Sequence, residues 1–261
     1  MVSTALVRPP IISLASTKGG VGKTTLAFVL ATAIARRLSR LDASQPEVRS
    51  TDIPEHRNDA APRVVCIDAD PNRTLAEALR LTGMPEIRVI ESDGEHLLQD
   101  LREAQASASV IIIDLEGSAN QAMLYAAGKS DLVLVPAQPS RFDVVEAVKT
   151  VGVVRQAADL VGRDILYRVV LSRTPVLRQR VADHSRAQFG KAGLPLLGVE
   201  LVQRTAFQSM TYTGAPPFQQ EPEGGAALNV ERLVDDVIAL IDLRLPMADI
   251  SMGAAAEAVE A

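Results

Sequence analysis

Short apolar runs alternate along the chain with longer segments in which apolar residues recur every three or four positions. The short runs are rich in Val, Ile and Leu and lack polar alternation, which is typical of strands buried on both faces. Seven strands are predicted, at residues 11–15, 64–67, 87–90, 110–113, 132–136, 165–171 and 196–201. Because helical segments separate most of them, the pattern predicts an α/β fold with one doubly wound, mostly parallel sheet and helices on both faces.

Helical spacing is clearest after the first strand, where Leu26, Val29, Leu30, Ala33 and Leu38 fall on one helix face. The predicted helices cover residues 26–38, 74–81, 95–106, 138–160, 178–192, 204–212 and 228–243.

Two segments lack either pattern. Residues 41–63 contain three prolines, mixed charges and few large apolar side chains, so we predict a long loop or a partly disordered insertion there. Residues 244–261 are rich in Ala and Glu and are predicted to form a flexible tail. The remaining pattern predicts a single domain over residues 1–243.

Composition agrees with one aliphatic core in a single domain. The 261 residues are 47% apolar but only 3% aromatic, with no Trp. The only cysteine, Cys66, lies in an apolar run, so we expect a small buried side chain and no internal disulfide. No apolar run approaches the ~20 residues of a membrane span, and no signal peptide is apparent, so we expect a soluble cytoplasmic protein and no membrane partner.

The first predicted strand leads into Ser-Thr-Lys-Gly-Gly-Val-Gly-Lys-Thr-Thr at residues 16–25, and a helix follows. Strand, glycine-rich turn and helix form a phosphate-binding loop, because the turn points its N–H groups inward and the helix adds its positive end. Lys23 is placed to reach β- and γ-phosphate oxygens, Thr24 to bind Mg²⁺ and Thr25 to bind the α-phosphate. The residues predicted to hold the phosphates are Gly19, Gly20, Val21, Gly22, Lys23, Thr24 and Thr25.

This loop departs from the standard phosphate-binding loop at its start. Thr17 stands where a glycine is expected, and an additional lysine, Lys18, follows it. Lys18 lies at the far end of the loop, where its ammonium need not fold back on its own nucleotide.

Carboxylates follow two of the predicted strands. Asp68 and Asp70 come at the end of the strand at 64–67, and Asp114 ends the strand at 110–113. Because ligands of parallel sheets bind at the carboxyl ends of the strands, these groups are candidates for a magnesium site and for activation of a water molecule.

Lys-Gly-Gly-Val-Gly-Lys-Thr-Thr, starting at Lys18, resembles the deviant Walker A motif of the ParA/MinD superfamily of P-loop ATPases. The resemblance implies that ATP and Mg²⁺ are bound. It also implies that Lys18 acts catalytically across a homodimer, by reaching the phosphates held by the other subunit.

Other segments resemble further motifs of the same superfamily. Residues 68–72 resemble its switch I motif, with Asn72 replacing Gln, which implies that Asp70 orients or activates the attacking water and that Asp68 lies near the metal. Residues 114–117, Asp-Leu-Glu-Gly, resemble the switch II turn, where the Gly117 N–H can sense the γ-phosphate. That variant is similar to the subgroup containing the Ti-plasmid T-DNA transfer ATPase. Arg173 matches a position near the adenine and is a candidate for stacking on the base or contacting phosphate.

The resemblance implies a cargo-positioning ATPase: the ATP-bound dimer binds DNA without sequence preference, and hydrolysis releases it. Plasmid or chromosome partition and positioning of a conjugative transfer complex both fit, with a ParB-like adaptor or a relaxosome component as activator and a nucleoid-associated location. The net charge of −5 argues against nucleic acid, but residues 155–204 carry nine basic side chains against four acidic ones.

Two alternatives use the same loop. A MinD-like membrane-cycling ATPase needs a basic amphipathic helix at its C-terminus, whereas this tail has Arg244 followed only by acids. A ligase of the dethiobiotin synthetase type would tolerate Lys18, and a phosphorylated small-molecule acceptor would establish it.

Overall fold

A computed structural model describes residues 8–44, 63–118, 121–177 and 180–241. Within these ranges seven strands pair in the order β3-β2-β4-β1-β5-β6-β7, and every pair is parallel. The strands are β1 Ile11–Leu14, β2 Val64–Ala69, β3 Ile87–Glu91, β4 Val110–Leu115, β5 Leu132–Ala137, β6 Leu166–Thr174 and β7 Leu201–Val202. The predicted α/β class and doubly wound sheet are confirmed.

The described part of the chain contains nine helices. They are α1 Lys23–Ser44, α2 Thr74–Leu81, α3 Leu97–Gln105, α4 Gln121–Lys129, α5 Arg141–Val161, α6 Arg180–Lys191, α7 Thr205–Thr213, α8 Pro217–Gln220 and α9 Gly225–Ile241. Helices α4 and α8 were not predicted from the sequence. Among the described helices, none is both long enough and apolar enough to cross a membrane.

Two predicted segments have the wrong bounds. Helix α1 continues to Ser44, so the first four residues of the predicted insertion at 41–63 are helical, while residues 45–62 lie outside the described ranges, as does the predicted tail. The strand predicted at 196–201 is reduced to Leu201–Val202 and one isolated bridge at Leu196. Gly198 lies between the bridge and the strand, and a glycine inside a strand weakens it.

Successive strand residues point to opposite faces of the sheet, and each face is covered by helices. Helices α1, α2, α7 and α9 pack over Ile12, Cys66 and Ile112, whereas α3, α4, α5 and α6 pack over Ile11, Ile67 and Ile113. Cys66 is fully buried, as predicted, and burial raises the pKa of its thiol.

The position of β1 in the sheet determines where a ligand-binding crevice forms. This strand lies between β4 and β5. The chain leaves β1 through α1 on one face of the sheet and leaves β4 through α4 on the other face, so a crevice opens beyond the carboxyl ends of these strands. In register, Leu14 pairs with Asp114, which pairs with Asp68. The loop after β1 and the two aspartates therefore meet at one edge.

Candidate functional site

The turn between β1 and α1 adopts a conformation that requires glycine. Gly20 and Gly22 have φ of 73° and 100°, which side chains rarely allow. The buried Val21 side chain and a hydrogen bond of 2.6 Å from Ser172 Oγ to the Val21 carbonyl oxygen hold the middle of the turn. Helix α1 then begins at Lys23, so its positive end faces the space enclosed by the loop.

That space is a cavity of about 440 Å³. Its lining includes most of the residues predicted from the sequence: Gly19, Gly20, Gly22, Lys23, Thr24, Thr25, Asp70, Gly117 and Arg173. The predicted residues that do not line it are Lys18, Val21, Asp68 and Asp114.

Lys23 is a buried cation in this cavity. Its side chain is buried, and its Nζ contacts the carbonyl oxygen of Lys18 at 3.5 Å. Burial lowers the pKa of Lys23, while Asp114, Asp70 and Glu116 act in the opposite direction. The ammonium thus lies in a low-dielectric setting among carboxylates, where its attraction for phosphate is strong.

Asp114 lies directly behind the cavity and is 1% exposed. Its Oδ2 accepts a hydrogen bond of 2.7 Å from Thr24 Oγ1, and its buried Oδ1 has no hydrogen-bond partner among the described residues. Burial raises the pKa of Asp114 to about 7, with Asp68 acting in the same direction and the Thr24 bond against it. A threonine hydroxyl beside an unsatisfied carboxylate oxygen suits Mg²⁺, which prefers such oxygen ligands.

The raised pKa of Asp114 gives a pH-dependent prediction. The folded protein without nucleotide binds this proton more tightly than the unfolded chain, so its stability should fall as the pH rises from about 4 to about 7 and then level off. Asp114→Asn removes the buried charge and should stabilise the nucleotide-free protein by about 2 to 4 kcal/mol at pH 8 but not at pH 4. Denaturant unfolding at the two pH values checks this, and an equal effect at both would contradict it.

The other two carboxylates are held differently. Both oxygens of the buried Asp68 accept backbone N–H groups, from Asp70 at 3.1 Å and from Ala76 at 2.9 Å. In this arrangement Asp68 connects the end of β2 to the start of α2, and its predicted place near a metal remains a prediction. Asp70 lines the cavity, and its Oδ1 accepts the Asn72 side-chain amide and backbone N–H, both at 2.9 Å.

Lys18 turns away from its own cavity. Its Nζ donates to Asp143 Oδ2 at 3.0 Å, and the pair joins a partly exposed cation to a carboxylate that is only 2% exposed. Asp143 also accepts from the Gln138 backbone N–H and from Ser140 Oγ, while Ser140 caps α5 by accepting the Asp143 N–H. Sequence reasoning missed Asp143 as a functional residue, although the motif Gln-Pro-Ser-Arg-Phe-Asp at 138–143 contained the signal.

Arg173 lies at a bulge where β6 and β7 change register, and its φ of 52° is unusual for a side-chain-bearing residue. It lines the 440 Å³ cavity beside the glycine-rich loop, which we call the phosphate cavity after the prediction from the sequence. It also lines an adjoining cavity of about 430 Å³. Gln203, Arg204 and Tyr212 contribute to that second cavity and were not predicted. The second cavity is large enough for a nucleotide base.

Gly117 brings the turn after β4 against the phosphate loop. A methyl group on its α-carbon would lie 2.9 Å from the Gly19 backbone nitrogen, so a side chain at this position would displace the backbone. The predicted γ-phosphate sensor is therefore in direct contact with the loop.

The basic segment at 155–204 is less positive than its composition suggests. Arg186 forms ion pairs with Glu200 and Asp183. Arg163 donates to the carbonyl oxygens of Gly128 and Ser130. Part of the positive charge of residues 155–204 is therefore engaged in contacts within the protein.

A parallel sheet with this loop after its central strand, and an aspartate at the end of the neighbouring strand, defines a P-loop nucleoside triphosphatase. A family model described as ATPase MipZ matches residues 10–182. The chain belongs to this ATPase family, and the predicted membership of the ParA/MinD superfamily is confirmed. The proposed likeness to the Ti-plasmid subgroup stays a prediction.

Two curated relatives and one solved structure are similar to this chain. It is 26% identical over 208 residues to "Protein ParA" of Rhizobium radiobacter, covering 78% of this chain and 83% of that one. It is 22% identical over 232 residues to "Maintenance of carboxysome distribution protein A" of Halothiobacillus neapolitanus, covering 87% and 95%. Septum site-determining protein MinD of Pyrococcus horikoshii, solved with Mg-ADP, has a similar fold, with a TM-score of 0.64, 17% identity and coverage of 88% and 96%.

Proposed function

We propose that this ATPase is a nucleotide-dependent dimer that binds DNA without sequence preference and positions DNA cargo in the cell. The observation that carries the proposal is the outward orientation of Lys18, whose ammonium lies outside its own phosphate cavity and is held by Asp143. A lysine in that place is available to phosphates held by a second subunit.

The substrate is ATP with Mg²⁺. Lys23 and the start of α1 would hold the β- and γ-phosphates, Thr24 and Asp114 would hold the metal, and Arg173 would contact the base or phosphates from the adjoining cavity. When bound, Mg²⁺ neutralises negative charge on the phosphates. The MinD relative solved with Mg-ADP supports this choice.

Asp70 is proposed to orient the attacking water. Its carboxylate lines the phosphate cavity and is held in place by Asn72. An ionised carboxylate there accepts a hydrogen bond from water and so fixes the direction of attack on the γ-phosphate.

Light scattering with Mg²⁺ and a slowly hydrolysed ATP analogue tests the dimer. The parent protein should pair, whereas Lys18→Ala should bind the analogue and remain monomeric, because the cross-subunit phosphate contact is lost. Lys149→Ala, which removes an exposed lysine from α5, is the control and should pair like the parent. A Lys18→Ala protein that dimerises normally would refute the cross-subunit role.

The basic composition of residues 155–204 supports DNA as the surface on which cargo is moved, and the relative named for maintenance of carboxysome distribution supports a positioning role. An adaptor of the ParB type or a relaxosome component would then stimulate hydrolysis and release the dimer. Partition and conjugative transfer both remain compatible with this cycle, and both place the protein on the nucleoid.

DNA retention by the ATP-bound protein should decrease roughly 10-fold when Arg178 and Arg180 are both replaced by Gln, because phosphate contacts dominate non-specific affinity. The salt dependence of binding should also become less steep. Arg186→Gln provides a control, since its charge is already met by Glu200 and Asp183. Gel retention that is unchanged in the double variant would remove this segment from the DNA-binding surface.

A further inference from the structure

Thr17 connects the start of the phosphate loop to helix α5. Its hydroxyl donates to Glu146 Oε2 at 2.8 Å, and its backbone N–H donates to Thr150 Oγ1 at 3.0 Å. Thr150 is completely buried and donates in turn to the Glu146 carbonyl oxygen at 2.9 Å. Glycine, the standard residue at this position of such loops, could not make the hydroxyl contact.

The carboxylate that receives the Thr17 hydroxyl is held from both sides. Glu146 Oε1 accepts from Lys149 Nζ at 2.8 Å, while Oε2 accepts from Thr17. These two contacts lower the pKa of the Glu146 carboxyl, so it is ionised at neutral pH. A hydrogen bond to an ionised acceptor is stronger than one between neutral groups.

Lys18, the residue after Thr17, makes two contacts next to the phosphate cavity. The Lys18 ammonium is bound by Asp143, and the Lys18 carbonyl oxygen is the group that Lys23 Nζ contacts. Three residues in the first three turns of α5, Asp143, Glu146 and Thr150, therefore hold the loop at residues 17 and 18. In contrast, a side chain added at Gly19 or Gly20 would meet no atom within 4 Å.

We infer that Thr17 is a positioning residue for ATP hydrolysis: by fastening the loop entry to Glu146 and Thr150, it fixes where Lys18 and Lys23 lie relative to the phosphates. The inference rests on the proposed hydrolysis at this site. Thr17 does not line the phosphate cavity, so it acts through the two lysines. Phosphoryl transfer depends mainly on such positioning, and small displacements reduce its rate strongly.

The test is steady-state ATP hydrolysis by the full chain with Mg²⁺. Thr17→Val keeps the shape of the side chain and the backbone contact but removes the hydroxyl, and it should lower kcat about 10-fold while KM for ATP changes little. Thr17→Ser restores the hydroxyl and should return kcat to within about 2-fold of the parent. If Thr17 only stabilised the fold, the variants would change the thermal unfolding temperature, but kcat would not differ between Thr17→Val and Thr17→Ser.

The Thr17 hydroxyl also lies 3.2 Å from the Glu146 carbonyl oxygen, which Glu146→Ala leaves in place. Glu146→Ala should therefore lower kcat by no more than Thr17→Val does, and the double variant should be no slower than Thr17→Val. Lys149→Ala removes the other partner of Glu146 but leaves the Thr17 bond, so its kcat should lie between those of Glu146→Ala and the parent. Lys129→Ala, which removes an exposed lysine at the end of α4, is the matched control and should match the parent.

Parent-like kcat in Thr17→Val, equal losses in the Val and Ser variants, or losses that multiply in the double variant would each overturn the inference while leaving the ATPase in place. A parent protein without turnover would overturn both the proposed function and this inference. Should Glu146→Ala fail to fold, the Val and Ser variants at position 17 decide the question.

Discussion

Lys23→Ala is expected to abolish ATP binding. The variant loses the only cation that both lines the phosphate cavity and lies buried among the described residues, and it leaves Asp114, Asp70 and Glu116 without that compensating charge. Removing one partner of a buried charged contact weakens binding by about 100-fold or more. Titration with a fluorescent ATP analogue in the presence of Mg²⁺ measures the loss.

Lys149→Ala serves as the control for this change, because it also removes one lysine but from an exposed position outside the cavity. It should bind the analogue like the parent. Nucleotide affinity within a few-fold of the parent in Lys23→Ala would mean that the cavity beside this lysine is not the phosphate site.

Asp70→Ala is expected to separate binding from hydrolysis. Its carboxylate lines the cavity without contacting Lys23 or Thr24 directly in the described hydrogen-bond network, so ATP binding and dimer formation should survive. Turnover should decrease by about 100- to 10,000-fold, the usual range for a group that handles the proton or orientation of an attacking water. Single-turnover phosphate release measures the rate, and light scattering should show a persistent dimer with ATP itself.

Asn72→Ala provides a graded comparison for Asp70→Ala. It removes the amide that holds the Asp70 carboxylate but leaves the backbone N–H contact, so turnover should lie between those of the parent and Asp70→Ala. Hydrolysis at the parent rate in Asp70→Ala would exclude this carboxylate from the mechanism.

The sheet and the phosphate loop could be predicted because their signals are local. Val110 to Ile113 form an uninterrupted apolar strand, and the glycines at 19, 20 and 22 directly follow another. Helix α4 escaped prediction because its buried face is built largely from Ala and Gly, which give a weak periodic signal. Strand β7 was overestimated because Gly198, which approaches Asp236 closely, interrupts an apolar run.

The contacts around the site could not be predicted because they join distant parts of the chain. Lys18 and Asp143 are 125 residues apart, and Thr17 and Glu146 are 129 apart. The composition of residues 155–204 suggested that the charge of Arg186 was available to bind DNA. In the folded protein, however, Arg186 is paired with Glu200. Local sequence patterns predicted most of the residues that line the cavity beside the loop, whereas the groups that hold this loop in place depend on tertiary packing.

Gly117 has a mechanical consequence for this arrangement. No side chain separates its α-carbon from the backbone of Gly19, and one methyl group would already lie 2.9 Å from that nitrogen. Two backbone segments in such contact have no compressible layer between them, so a shift of either one toward the other is transmitted by direct repulsion. A displacement of the turn at the end of β4 toward the loop after β1 would therefore push that loop, whereas a displacement away from it would not pull the loop along.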